Sequence, residues 1–152
     1  MKMKIFIIGF AALMSAAATL SSCSREDGDW DPMEWRTGVR NVKEDGMRLV
    51  VVPQTGGTYE YTCRNYKKFW LEYVIETTEK PTGNLWQFNG LYNTYRHEDT
   101  NPLHISSPAT EVNANDNKLS ISVKPNDTGK TRYIMVTVTA GDIFDQFIYR
   151  QE

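Results

Sequence analysis

Between Thr131 and Gln151 the chain reads TRYIMVTVTAGDIFDQFIYRQ, two alternating runs parted by Ala-Gly-Asp. Ile134, Val136 and Val138 occupy every second position of the first run. Successive side chains leave a pleated backbone on opposite faces, so apolar residues at period two make a half-buried strand. A Gly-containing break between two such strands reads as a tight hairpin. A long hairpin with one apolar face cannot stand alone in water. It requires more strands and a second layer to cover that face.

The preceding residues supply them. Residues 47–52 (MRLVVV) are apolar and β-branched and stop at Pro53. Residues 56–63 (GGTYEYTC) place Tyr59, Tyr61 and Cys63 on one face. In residues 69–76 (FWLEYVIE) the alternation puts Phe69, Leu71, Tyr73 and Ile75 on one face, with Trp70, Glu72 and Glu76 opposite. In residues 118–124 (KLSISVK), Leu119, Ile121 and Val123 turn inward. The breaks PQTGG and PNDTGK carry turn residues, and no helical stripe of comparable strength is present. The pattern predicts an all-β, two-sheet antiparallel β-sandwich over residues 46–152. A long insertion, about residues 77–117, falls between its central strands. A structureless loop of that length is unusual, so the insertion is expected to contain further elements or to serve a function.

The start of the chain has another character. Lys2 and Lys4 precede an uncharged, largely apolar stretch, residues 5–20. A basic start followed by an apolar core is the layout of a secretory signal. At about 1.5 Å per residue a helix of this stretch reaches roughly 24 Å, short of the roughly 30 Å hydrocarbon slab. The stretch ends Leu20-Ser21-Ser22-Cys23, which resembles the lipobox of bacterial lipoproteins. That resemblance implies diacylglycerol on the Cys23 sulfur, cleavage before Cys23 and acylation of the new amine. Residues 1–22 are then a lipoprotein signal peptide, and the membrane is a partner through the lipid anchor. Residues 23–45 read as an acidic flexible tether, with room for a short edge strand near residues 35–42. The run SREDGDWD resembles the surface-export signal of Bacteroidetes lipoproteins, apart from Arg25 and Gly28. It implies an outer-membrane location facing the exterior.

Charge and cysteine usage narrow the function. Of 152 residues, removal of the first 22 leaves 130, enough for one domain with a real core. Two of the 17 basic residues leave with the signal, so 15 face 19 acidic ones and the net charge is −4. Without a basic block, no nucleic-acid partner is expected. With Cys23 lipidated, Cys63 has no partner for an intrachain disulfide and reads as a buried thiol. Asp27, Asp29 and Asp31 lack the glycine and terminal Glu of a calcium loop.

Two stretches resemble a known family. VVPQTGGTYEYTCRN looks like an opening strand pair around a Gly-Gly turn. LSISVKPNDTGKTRYIMVTVTAGDIFDQFIYRQE looks like the matching end: strand, Asn-containing turn, Arg, long strand, Gly hairpin and a final strand closing on Gln. Together they resemble BACON domains, the Bacteroidetes-associated carbohydrate-binding modules, with Gly56, Gly57, Asn65, Asn126, Arg132 and Gln151 at matching positions. The resemblance covers roughly residues 48–76 and 118–152. It implies an immunoglobulin-like sandwich, and binding of glycan or mucin.

Sugar binding requires flat aromatic faces beside amides and carboxylates. Trp86, Tyr92 and Tyr95 lie in the insertion among Gln87, Asn89, Asn93, Arg96, Glu98 and Asp99. With Trp70, they are the candidate ligand-binding residues. The competing reading makes Trp86, Phe88 and Leu91 a satellite core and lets the insertion cover Trp70. The cluster Arg96-His97-Glu98-Asp99 reads as a solvated loop, since His97 and His104 lie at no metal-ligand spacing. No catalytic motif is present, so no catalytic residue, metal or cofactor is expected. The sequence thus describes a non-catalytic binding module at the cell surface. The alternative is a structural or protein-interaction module that docks other surface proteins.

Overall fold

The computed structural model describes residues 31–81 and 92–152. Among them there are eleven strands and no helix: β1 (Trp35–Arg36), β2 (Val42–Glu44), β3 (Met47–Val52), β4 (Gly57–Cys63), β5 (Trp70–Thr77), β6 (Asn93–Tyr95), β7 (His104–Ser106), β8 (Thr110–Asn115), β9 (Lys118–Val123), β10 (Arg132–Ala140) and β11 (Ile143–Gln151). They form a five-stranded sheet, β1-β4-β9-β8-β7, and a six-stranded sheet, β2-β3-β11-β10-β5-β6. The fold is an all-β sandwich, as the alternation predicts, and immunoglobulin-like, as the family resemblance implies. Every neighbouring pair of these strands is antiparallel except β3 and β11, which run parallel over Val50–Val52 and Tyr149–Gln151.

The main core lies between the sheets. Tyr61, Cys63, Leu119, Ile121 and Val123 point into it from one layer, and Val50, Val52, Ile134, Val136, Val138 and Tyr149 from the other. Each fully buried aliphatic side chain stabilises the fold by about 1.5–3 kcal/mol relative to exposure. Tyr61 and Tyr149 share a hydrogen bond of 2.9 Å across the layers, so neither buried phenol lacks a partner. The β10–β11 turn closes between Ala140 and Ile143, with Gly141 at φ +78.

Three expectations are corrected. The tether does not extend to residue 45. β1 pairs with β4, β2 pairs with β3, and Met33 is buried. Trp35 is the reason: its ring packs edge-on against Tyr61, Phe69 and Phe147, and its indole N–H donates to Asp145 Oδ2 at 2.7 Å. The insertion is also shorter than residues 77–117. β8 is an inner strand between β9 and β7, with Thr110, Val112 and Ala114 buried. Finally, β5 does not keep one face throughout. Opposite Thr137 and Val138 of β10 stand Tyr73 and Leu71, so Glu72 is an extra residue, a β-bulge. Past the bulge the faces exchange. Val74 joins Leu71 in the main core, while Tyr73 and Ile75 join Met47, Leu49, Met135 and Ile148 in a second apolar cluster on the outer face of the six-stranded sheet.

One end of the sandwich is closed by polar groups. Gln151, fully buried, accepts from Arg132 Nε at 2.7 Å and donates to the carbonyls of Pro53, Gln54 and Lys124. Arg132 also donates to Lys124 O at 2.6 Å. Asn126 donates from its amide N–H to Gln54 O and from its side chain to Lys130 O. Gly56 has φ +81, and a Cβ there would collide with Val123 O. Asn65 accepts from Glu34 N and donates to Pro32 O. Five of the six positions that carry the family resemblance are therefore structural nodes.

Candidate functional site

Trp70 opens β5 and is 45% exposed. Its partner on β10 is Thr139, and the partner of Thr139 on β11 is Phe144. Directly opposed residues of an antiparallel ladder share a face. The three side chains therefore form one row across three strands. At about 4.8 Å per strand, the Trp70 and Phe144 backbones stand roughly 10 Å apart. Phe144 is 49% exposed. The row lies on the outer face, beside the β10–β11 hairpin.

The next row is polar and partly aromatic: Tyr73, Thr137 and Gln146. Gln146 Nε2 donates to Thr137 Oγ1 at 3.4 Å. The Arg96 guanidinium stands 5.4 Å from the Tyr73 ring centroid and pairs with Glu72 Oε1 at 3.0 Å. The bulge produces this neighbourhood, because it swings Tyr73 onto the same face as Trp70. Two exposed rings in register, with a hydroxyl between them and an amide and a guanidinium in the adjoining row, suit a ligand with both apolar and hydroxylated surface.

The other candidate aromatics do not join this surface. Tyr95 pairs with Val74 and packs against the main core. Burial, with the Glu76 carboxylate nearby, raises the pKa of its phenol. Tyr92 is 48% exposed, but it precedes Asn93, the partner of Glu76, at the far end of β5. Six residues of strand separate Trp70 from Glu76, about 20 Å. Trp86 and Cys23 lie outside the described residues. Trp70 thus stands apart from Tyr92, at the far end of β5, and from Tyr95, which packs against the core. Phe144 was the missed member. The hairpin signal that placed β11 against β10 was its only trace in the sequence.

Other polar clusters have structural partners. Buried Glu76 receives Ser107 Oγ, Thr110 Oγ1 and the amide of Ala109, and so ties the β7–β8 turn to β5. His104 bonds Asn113 Oδ1 and lies 3.2 Å from Glu111 Oε1. His97 meets the carbonyl of Glu98. The Cys63 thiol is buried and contacts Asn65 Oδ1 at 3.4 Å. Among the described residues no three His, Cys, Asp or Glu side chains converge to hold a metal ion.

No protein-family model matches the chain, and no curated protein matches it. Among solved structures it is similar to one described as the "NMR structure of the protein from Bacteroides thetaiotaomicron". The two share 29% identity over 85% of this chain and 93% of that one, with a TM-score of 0.60. The likeness supports the sandwich fold.

Proposed function

We propose that this chain is a non-catalytic glycan-binding lipoprotein, BACON-like in its domain, held by lipid on Cys23 to an outer membrane and facing the exterior. The observation that carries the binding part is the Trp70–Thr139–Phe144 row. An exposed Trp and Phe in cross-strand register offer two flat faces to the C–H side of sugar rings, while Gln146 and Arg96 offer partners for hydroxyls. Mucin, whose glycans project from an extended chain, fits an open platform better than a deep pocket. The lipobox and the acidic run after Cys23 support the anchored, outward placement. A similar solved chain from Bacteroides thetaiotaomicron accords with the bacterial group that these signals resemble.

The test is binding to mucin and to a panel of host and plant glycans. Trp70→Ala and Phe144→Ala should each weaken binding by about tenfold or more, equivalent to about 1.4 kcal/mol. Because both side chains are half-exposed, thermal unfolding should barely change. Folded parent protein that binds none of the panel sinks the glycan reading and leaves docking to another surface protein. For the anchor, Cys23→Ser should move the protein from the membrane fraction to the soluble one.

A further inference from the structure

Strands β3 and β11 pair only over their last three residues, Val50–Val52 with Tyr149–Gln151. Ahead of that pairing a cavity of about 350 Å³ opens between Arg48 on β3 and residues 145–148 of β11. Clefts of roughly 300–1,000 Å³ are the size that small ligands occupy. One wall is aromatic. Trp35 and Phe147 meet edge to face at 5.1 Å, and Tyr61 lies 4.5 Å from Phe147. The other wall is polar, with Asp145, Gln146, Asn41 and Arg48.

Asp145 occupies an inward position of β11, in phase with Phe147 and Tyr149. Its carboxylate accepts the Trp35 indole N–H at 2.7 Å on Oδ2 and the Gln146 amide at 2.8 Å on Oδ1. Each oxygen keeps a further lone pair for a ligand hydroxyl. Burial pushes its carboxyl pKa up against these two bonds. One carboxylate is too few for a metal ion. It disfavours an anion, and Arg48 in the same lining disfavours a cation. The polar wall disfavours a wholly apolar ligand.

We infer that this cavity is a second binding site, for a single neutral hydroxylated ring such as a terminal sugar residue. The ring packs against the aromatic wall of Trp35 and Phe147, and its hydroxyls meet Asp145, Asn41 and Arg48. The choice of a sugar rests on the glycan reading above. The cavity itself is separate from the Trp70 row, since it opens between the layers and the row lies on the outer face. Together the two would hold a glycan along its length and at one end.

The experiment follows the Trp35 indole N–H resonance in the full chain, assigned with Trp35→Phe. The probes are methyl glycosides of galactose, N-acetylgalactosamine, N-acetylglucosamine, fucose and mannose at millimolar concentration, with n-butylammonium as a cationic control. At least one glycoside should shift this resonance, and the shift should persist in Trp70→Ala. Asn41→Trp, which fills the mouth, should weaken the effect by about tenfold or more. If that variant loses cooperative unfolding, Arg48→Ala, at an exposed position, should still weaken it several-fold. A Trp35 resonance unmoved by every glycoside overturns the inference, as does one moved by n-butylammonium alone. Shifts confined to Trp70 overturn it while leaving the platform intact. Shifts at Trp35 without any effect of Trp70→Ala on glycan binding remove the platform and keep the cavity.

Discussion

Arg132 donates its Nε–H to Gln151 Oε1 at 2.7 Å, and this pair locks the start of β10 to the end of β11. The same Gln151 amide reaches the carbonyls of Pro53, Gln54 and Lys124, which lie far from it in the chain. Gln151→Ala should therefore strand several buried polar groups. The expected loss is about 1–3 kcal/mol, and more if water cannot enter. Urea unfolding measures it; a loss under about 0.5 kcal/mol would mean that the network is dispensable.

Gly56 and Gly141 both have positive φ, but only Gly56 faces backbone where a Cβ would go. Gly141→Ala should cost about 1–2 kcal/mol for the left-handed conformation alone. Gly56→Ala adds a collision with Val123 O and should cost clearly more. Equal urea midpoints for the two variants would contradict the close approach of β4 to the end of β9.

Trp35 lies in what reads as tether yet joins four residues of the sandwich, Tyr61, Phe69, Phe147 and Asp145. Trp35→Ala should destabilise by about 3 kcal/mol, near the lower end for large aromatic truncations because the ring is only partly buried. A flexible linker residue would give no measurable change. Differential scanning calorimetry distinguishes the two.

Asp145 gives the fold a pH signature. Its folded pKa is raised by burial above the unfolded value of about 3.9. The fold therefore favours the protonated acid. The associated stability is fully present below about pH 3.9 and is lost as pH rises through the folded value. The Gln146 amide and the Trp35 indole N–H, which bond the carboxylate, limit the loss by favouring the charged form. Asp145→Asn should flatten this part of the curve, gaining on the parent as pH rises. Urea midpoints across a pH series test it, and parallel curves would refute it.

Strong alternation made most of the sheets legible. β4, β9 and β10 set apolar residues at period two, β3 shows as a β-branched run before Pro53, and β11 follows from the Ala-Gly-Asp hairpin; each stands where its signal puts it. β8 escaped because its inward residues are Thr110, Val112 and Ala114, too small and too polar to mark a face. β1 and β2 are too short to show any period. The bulge at Glu72 left no trace because Tyr73, Val74 and Ile75 are all large or β-branched, so a change of face looks like continuity. The binding row was half legible. Trp70 falls outside the main core by alternation, but its neighbours depend on the registers of β10 with both β5 and β11. No local signal in β5 specifies those registers.

The place of β11 in the six-stranded sheet governs when the molecule can form. It sits between β3 and β10, so without it that sheet falls into two pieces, and the cavity and the Phe144 side of the platform are absent. A chain still emerging from a ribosome lacks this wedge until β11 has arrived. Topology alone thus defers completion of the six-stranded sheet to the last strand made.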